Sequence, residues 1–236
     1  MRLSAALLLL ATLAAAARAE GTLRGRLQAG TKANLEGAVV WIEGGEKLPA
    51  LAHEPSVRVM SQIHKTFSPA ALAVRSGDGV SFENLDNVFH NVFSLDKANP
   101  FDLGLYKGKK HFASDGRTED AAGSTIQPFK TPGKFLIFCN IHPDMVGAVY
   151  SFDHGYFAQA DQNGLFTLPL PPPGTYTLVV DGPTLDKPAR REVTVTADNS
   201  LLEVSLKARA APKRVSHRRK NGEPYVSDDS SGDTAY

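Results

Sequence analysis

The chain has 236 residues, and its 26 Lys and Arg stand against 25 Asp and Glu for a formal net charge of +1 at neutral pH. So even a balance gives no support to a nucleic-acid partner or an anionic membrane surface, while the length suffices for one large domain or two small ones, each with a real core. A single cysteine forms no intrachain disulfide, which excludes a disulfide-stapled scaffold.

The first segment, "MRLSAALLLLATLAAAARAE", places one Arg before an apolar run over 3–17 and ends in the small-x-small triplet Ala17-Arg18-Ala19. It reads as a cleavable signal peptide, cut after Ala19, and predicts a periplasmic or secreted protein. The run is shorter than the roughly 20 apolar residues of a spanning helix, and no later segment comes closer, so no stable membrane anchor is expected.

Beyond it, nearly every readable segment has the two-residue period of a strand. Val57, Val59, Ser61 and Ile63 share one face, and Arg58, Met60, Gln62 and His64 the other. Similar runs recur at "TLRGRLQ", "GAVVWIE", "ALAVRSGDGVSFEN", "KFLIFCN", "GLFTLPL", "TYTLVVDG", "REVTVTA" and "LLEVSLK". Between them lie turn residues, such as Ser-Gly-Asp-Gly at 76–79, Thr-Pro-Gly at 131–133 and Gln-Asn-Gly at 162–164. The fold class is therefore all-β, a sandwich or a pair of sandwiches. Residues 44–56 read as a connector and the polar 114–124 as a surface loop. In 208–236 a basic cluster is followed by an acidic, serine-rich stretch with few apolar residues, too few to offset the entropy of ordering, so this segment is expected to be disordered.

The chemistry gathers in "KFLIFCNIHPDMVGAVY", 134–150. Alternation puts Cys139 on the face of Phe135 and Ile137, at a core edge. His142 and Met145 follow at three-residue intervals in a loop stiffened by Pro143, before strand character resumes. A lone exported cysteine is buried and inert, paired with another chain, or chemically employed. A thiolate, an imidazole and a thioether in one loop favour employment, because together they suit copper in both oxidation states, whereas zinc takes four N, S or O ligands without Met. A trigonal electron-transfer site needs a second histidine. His90 is the candidate, since it sits in an apolar run with Val88, Phe89, Val92 and Phe93, where a histidine is otherwise a hydrogen-bonded core residue. His53, His64, His111, His154 and His217 read as ordinary loop, strand-flank or tail residues, and Met60 as core packing.

"FSPAALAVRSGDGVSFENLDNVFHNVFSL" with "FKTPGKFLIFCNIHPDMVGAVYSF" resembles the cupredoxins, and among them the amicyanin and plastocyanin branch, over roughly residues 55–153. The resemblance implies a Greek-key β-sandwich with one type 1 copper ion. It makes His90, Cys139 and His142 the equatorial ligands and Met145 the weak axial one, and it makes Asn91 the residue that ties the two ligand loops together. Ile141 departs from the amicyanin pattern, which has proline there, and the stretch 101–127 is longer than a minimal cupredoxin needs. The flanks resemble a smaller carboxypeptidase-regulatory-like, transthyretin-like sandwich, discontinuous over 20–45 and 153–207, with the copper module inserted in one of its loops.

The function implied is an exported single-electron carrier and not an enzyme, because four protein ligands leave no open metal position for substrate. Redox partners such as a c-type cytochrome or a quinone-cofactor amine dehydrogenase follow from family analogy alone. They would dock on a small apolar patch of Ile141 and Pro143 around His142, completed by Phe93 or Phe101. The alternatives are a copper carrier or store, and a surface- or ligand-binding sandwich with ancillary copper.

Overall fold

The computed structural model describes residues 21–28, 35–44, 48–108, 124–198, 201–209 and 217–225. The signal-peptide segment, His111 and residues 114–123 lie outside them. The described residues are all-β. Strands β1 (Thr22–Gln28) and β2 (Val39–Glu43) come first, then β3 (Val57–Ile63), β4 (Thr66–Ser68), β5 (Ala71–Arg75), β6 (Gly79–Asn84) and β7 (Phe89–Ser94). Next come β8 (Phe101–Lys107), β9 (Ser124–Pro128), β10 (Gly133–Phe138) and β11 (Val146–Phe152). The last are β12 (Phe157–Gln159), β13 (Leu165–Pro169), β14 (Gly174–Asp181), β15 (Ala189–Val195) and β16 (Leu201–Lys207).

They form four sheets, ordered β13-β1-β16, β12-β2-β14-β15, β5-β11-β10-β7-β8 and β4-β3-β6-β9. The first two draw on strands before residue 44 and after residue 156, the other two on the strands between. Their cores follow from alternation. Leu23, Leu27, Phe166 and Leu168 of the first sheet pack against Val40, Ile42, Leu178 and Val180 of the second. Leu72, Val74 and Val149 of the third meet Met60, Val80 and Phe82 of the fourth.

A third core joins the two sandwiches. Val39 and Trp41 on the other face of β2, with Phe157, pack on Ala71, Ala73, Ala148, Tyr150 and Phe152 from the other face of β5 and β11. The indole lies 5.9 Å from the Tyr150 ring and 5.6 Å from that of Phe152. These three strands are buried on both faces, which is why "VVWI", "ALAV" and "AVYSF" read as nearly continuous apolar runs instead of alternating ones. The small residues on β5 let the second and third sheets approach.

Gly25 on β1 marks a close approach of another kind: a β-carbon there would lie 2.1 Å from the Phe166 ring and 2.8 Å from Val204. Gly25→Ala is expected to cost about 1–3 kcal/mol through overpacking, read as a lower urea midpoint with an unchanged slope.

The Ser-Gly-Asp-Gly turn is closed by Asp78. Its carboxylate accepts hydrogen bonds from the Ser56 and Arg75 amides at 2.8 and 2.9 Å and lies 2.7 Å from His53 Nε2, fastening the 48–56 connector to the fold. Burial pushes the Asp78 carboxyl up, but the Ser56 and Arg75 amides and His53 outweigh it, and the group titrates below its ordinary 3.8. A carboxyl depressed in the folded state gives its full stabilisation above the unfolded value and loses it as pH falls through the folded one. Asp78→Asn should therefore flatten the acid limb of stability below about pH 4, as measured by urea denaturation at stepped pH.

Candidate metal centre

β10 points Phe135 and Ile137 into the core between the third and fourth sheets, and the next inward position is Cys139, fully buried at the strand's end. The chain then turns back on itself: the Met145 amide donates to the His142 carbonyl at 3.1 Å, and the Cys139 amide to the Met145 carbonyl at 3.2 Å. That turn brings His142 Nδ1 to 3.5 Å from the Cys139 sulfur. From β7, fully buried His90 places its Nδ1 3.9 Å from the same sulfur and 3.1 Å from His142 Nδ1. One atom from each of His90, Cys139 and His142 thus lies within 4.8 Å of the others.

These separations are what three donors leave when each sits about 2.0–2.3 Å from one metal ion, so the donor set fits a copper ion in both chemistry and spacing. Met145 is fully buried at the end of the same loop, in the apolar cluster that contains Cys139 and Ile137.

The protonation states suit ligation. His142 is lowered to about 4, chiefly by burial and further by neighbouring His90. Burial also lowers His90, against the opposing pull of Asp86. Both rings are neutral at neutral pH, with lone pairs free to bind. Burial pushes the Cys139 thiol up, while the amides of Asn91, Ile141 and His142 donate toward its sulfur and favour the thiolate.

Asp86, which the sequence reading did not single out, orients His90. Its Oδ2 lies 2.8 Å from His90 Nε2, and its carboxylate also accepts from the amides of His64 and Lys65 at 2.7 and 2.8 Å. Those two residues form the tight β3–β4 turn with φ of 53° and 55°, which aims both amides at one acceptor. Burial raises the Asp86 carboxyl, but the Lys65 amide, His90 and the His64 amide hold it below its ordinary value. Being ionised, it only accepts, so Nε2 carries the proton and Nδ1 keeps its lone pair toward Cys139 and His142.

Asn91 spans the two ligand loops. Its Oδ1 accepts the Asn140 amide at 3.3 Å, and its Nδ2 donates to Asp102 Oδ1 at 2.6 Å and the Gly104 carbonyl at 3.0 Å.

Of the expected docking patch, Ile141 is 40% exposed and Pro143 half-buried. Phe93 and Phe101 do not extend it. Phe93 is buried beneath His217, and Phe101 turns inward onto Phe82 and Phe129, next to an irregularity in the β7–β8 pairing between Asn91 and Phe93.

The expectation of disorder over 208–236 also needs correction where that stretch is described. Residues 217–225 lie on the Cys139–His142 loop: His217 stacks on Phe138 at 4.7 Å, and Tyr225 donates to the Cys139 carbonyl at 2.9 Å. Two aromatic side chains and the backbone amides of His217 and Lys220 supply what the composition of the whole segment conceals.

No family model matches the chain, and no curated protein matches it. Solved structures similar to it include a purple cupredoxin from Nitrosopumilus maritimus, 20% identical, covering 40% of this chain and 98% of its own at a TM-score of 0.31. Amicyanin from Paracoccus versutus is 16% identical and covers 48% of this chain and 96% of its own, TM-score 0.31. A Cu-containing nitrite reductase from Thermus scotoductus SA-01 is 19% identical and covers 53% of this chain but only 28% of its own, TM-score 0.32.

What the arrangement can do follows from its own atoms. It offers two neutral imidazole nitrogens and a sulfur with three amide donors, in a pocket where His90 and Cys139 are shielded and only His142 reaches toward the surface.

Proposed function

We propose that the protein is an exported copper protein that carries single electrons between redox partners. The observation that supports this is the triangle of His90 Nδ1, His142 Nδ1 and Cys139 Sγ, with edges of 3.1, 3.5 and 3.9 Å, at the buried end of a β-sandwich. In this reading Met145 is the weak axial ligand, which completes the set used for electron transfer rather than for zinc. Copper held there supplies a one-electron couple.

The chain's part is to keep the site the same in both charge states. Asp86 fixes one imidazole, the amides of Asn91, Ile141 and His142 solvate the sulfur, and the Asn91 side chain ties the loops that carry them. Little then has to move when charge changes, and four protein ligands leave no place for a substrate, so the reading is of a carrier and not an enzyme. The full burial of His90 and Cys139 favours retention of the ion over its delivery to another protein.

In the same reading, the strands of 22–43 and 157–207 make a carboxypeptidase-regulatory-like sandwich into which the copper module is inserted. The support is pairing across the module: β1 runs parallel to β16 and antiparallel to β13, and β2 pairs with β12 and β14. The segment 1–19 is the export signal.

Ile141, exposed next to His142, is the centre of the proposed contact with a c-type cytochrome or a dehydrogenase. Ile141→Asp is expected to slow electron exchange with a c-type cytochrome about tenfold or more, by placing a desolvated charge in a small apolar contact, while leaving the visible spectrum unchanged. Stopped-flow mixing of the reduced protein with oxidised cytochrome measures both. An unaltered rate with a cytochrome that does react would move the docking surface elsewhere, and a copper-loaded protein that exchanges no electrons with any donor or acceptor would overturn the carrier reading.

A further inference from the structure

The segment 217–225 touches the ligand loop through His217, Lys220 and Tyr225. Tyr225 donates to the carbonyl of Cys139 at 2.9 Å, and the Lys220 amide to Asn140 Oδ1 at 2.9 Å. His217 Nε2 lies 3.3 Å from the His142 carbonyl, and the His217 amide donates to that of Pro143 at 3.1 Å. The His217 ring rests on Phe138 and against Phe93, which face away from the core at this end of the sandwich, and Tyr225 packs edge-on to it at 5.4 Å.

A polar circuit closes around these contacts. Asn91 Nδ2 donates to one oxygen of Asp102, and Lys220 Nζ lies 2.6 Å from the other. The Lys220 amide holds Asn140, and the Asn140 amide returns to Asn91 Oδ1. The segment is therefore bonded directly to the loop carrying Cys139 and His142 and, through Asp102, to Asn91 beside His90. The ion pair itself is exposed and contributes little. The donor with most leverage is the Tyr225 hydroxyl, whose target is the main-chain carbonyl of Cys139; the His217 ring lies between two carbonyls, with Nδ1 2.7 Å from that of Arg218 and Nε2 3.3 Å from that of His142, and both side chains are half-buried.

We propose that Tyr225 and His217 are positioning residues of the metal centre, holding the 139–143 loop in its ligating conformation and slowing exchange of the ion. The inference rests on the copper reading above. A carbonyl held at Cys139 limits rotation of the residue that carries the sulfur, and the His217 ring, seated on Phe138 and against the His142 carbonyl, does the same for the imidazole. Opening the loop to release the ion requires breaking the Tyr225 bond and lifting His217 from Phe138. Partners one step removed from the metal commonly change its affinity by about 10–100-fold.

The test uses the full mature chain loaded with copper, with Tyr225→Phe, Tyr225→Ala and His217→Ala beside it. Transfer of Cu(I) to excess bicinchoninate gives the release rate, the Cu(II) form gives the thiolate absorption band, and thermal unfolding of the metal-free proteins gives stability. The expected result is release at least about tenfold faster in Tyr225→Ala, a smaller acceleration in Tyr225→Phe, which loses only the hydroxyl, and a shifted band. Metal-free unfolding should be unchanged in Tyr225→Phe, which keeps the ring that packs on His217, so faster release in that variant is not a loss of stability. Unchanged release and an unchanged band in all three variants would overturn this inference alone. A wild-type chain that shows no thiolate band would overturn the copper reading and this inference with it.

Discussion

Asp86→Ala is expected to weaken copper binding about 10–100-fold while the protein stays folded. Three donors converge on this carboxylate: His90 Nε2 and the amides of His64 and Lys65. Without it the ring of His90 keeps its burial but loses the acceptor that fixes the proton on Nε2, so the tautomer that presents Nδ1 to the metal is no longer selected. The two turn amides are at an exposed hairpin and can bond to water instead, which limits the loss of stability. Asp86→Asn retains one acceptor oxygen and should fall between wild type and Ala. Competition with a Cu(I) chelator of known affinity measures the series. Equal affinities across the three proteins would show that His90 is held by its packing alone.

Phe82→Ala should have the opposite signature, a loss of about 3–5 kcal/mol of stability with the copper spectrum preserved. Phe82 is fully buried on β6, its ring is 6.0 Å from that of Phe101, and it fills the core shared with Met60, Val80 and Phe135. Its main-chain carbonyl accepts the hydroxyl of half-buried Tyr106 at 3.0 Å, a bond the substitution leaves in place. The substitution removes no donor atom of the site, so the site should persist for as long as the fold does. Urea denaturation of the metal-free protein gives the stability change, and the visible band of the loaded protein at low temperature gives the state of the site. A drop below about 1 kcal/mol would mean that the core collapses around the missing ring.

Much of this molecule could be read from residue types in order, and what could not is physically specific. Strand periodicity revealed the all-β class because alternation is imposed by the pleat, and it placed Cys139 with Phe135 and Ile137 on a buried face. The Cys-x2-His-x2-Met spacing and the buried setting of His90 pointed to side chains that the fold brings together from strands 49 residues apart. Asp86 was legible in principle, four residues before His90, but its role depends on the positive-φ turn at His64 and Lys65, which no spacing announces. The inward turn of Phe101 accompanies an irregularity in pairing between β7 and β8 that alternation alone does not announce. The packing of 217–225 was hidden for a different reason: mean composition judges a segment by its average, whereas this one is held by His217, Tyr225 and main-chain donors that find partners only on the folded loop.

The most direct measurement is the visible absorption spectrum of the mature protein loaded with Cu(II), beside Cys139→Ser. An intense thiolate-to-copper band that disappears in the variant is the expected result, since Cys139 is the only cysteine in the chain. A protein that binds copper without that band, or keeps it in the variant, would contradict the assignment of His90, Cys139 and His142 as an electron-transfer site.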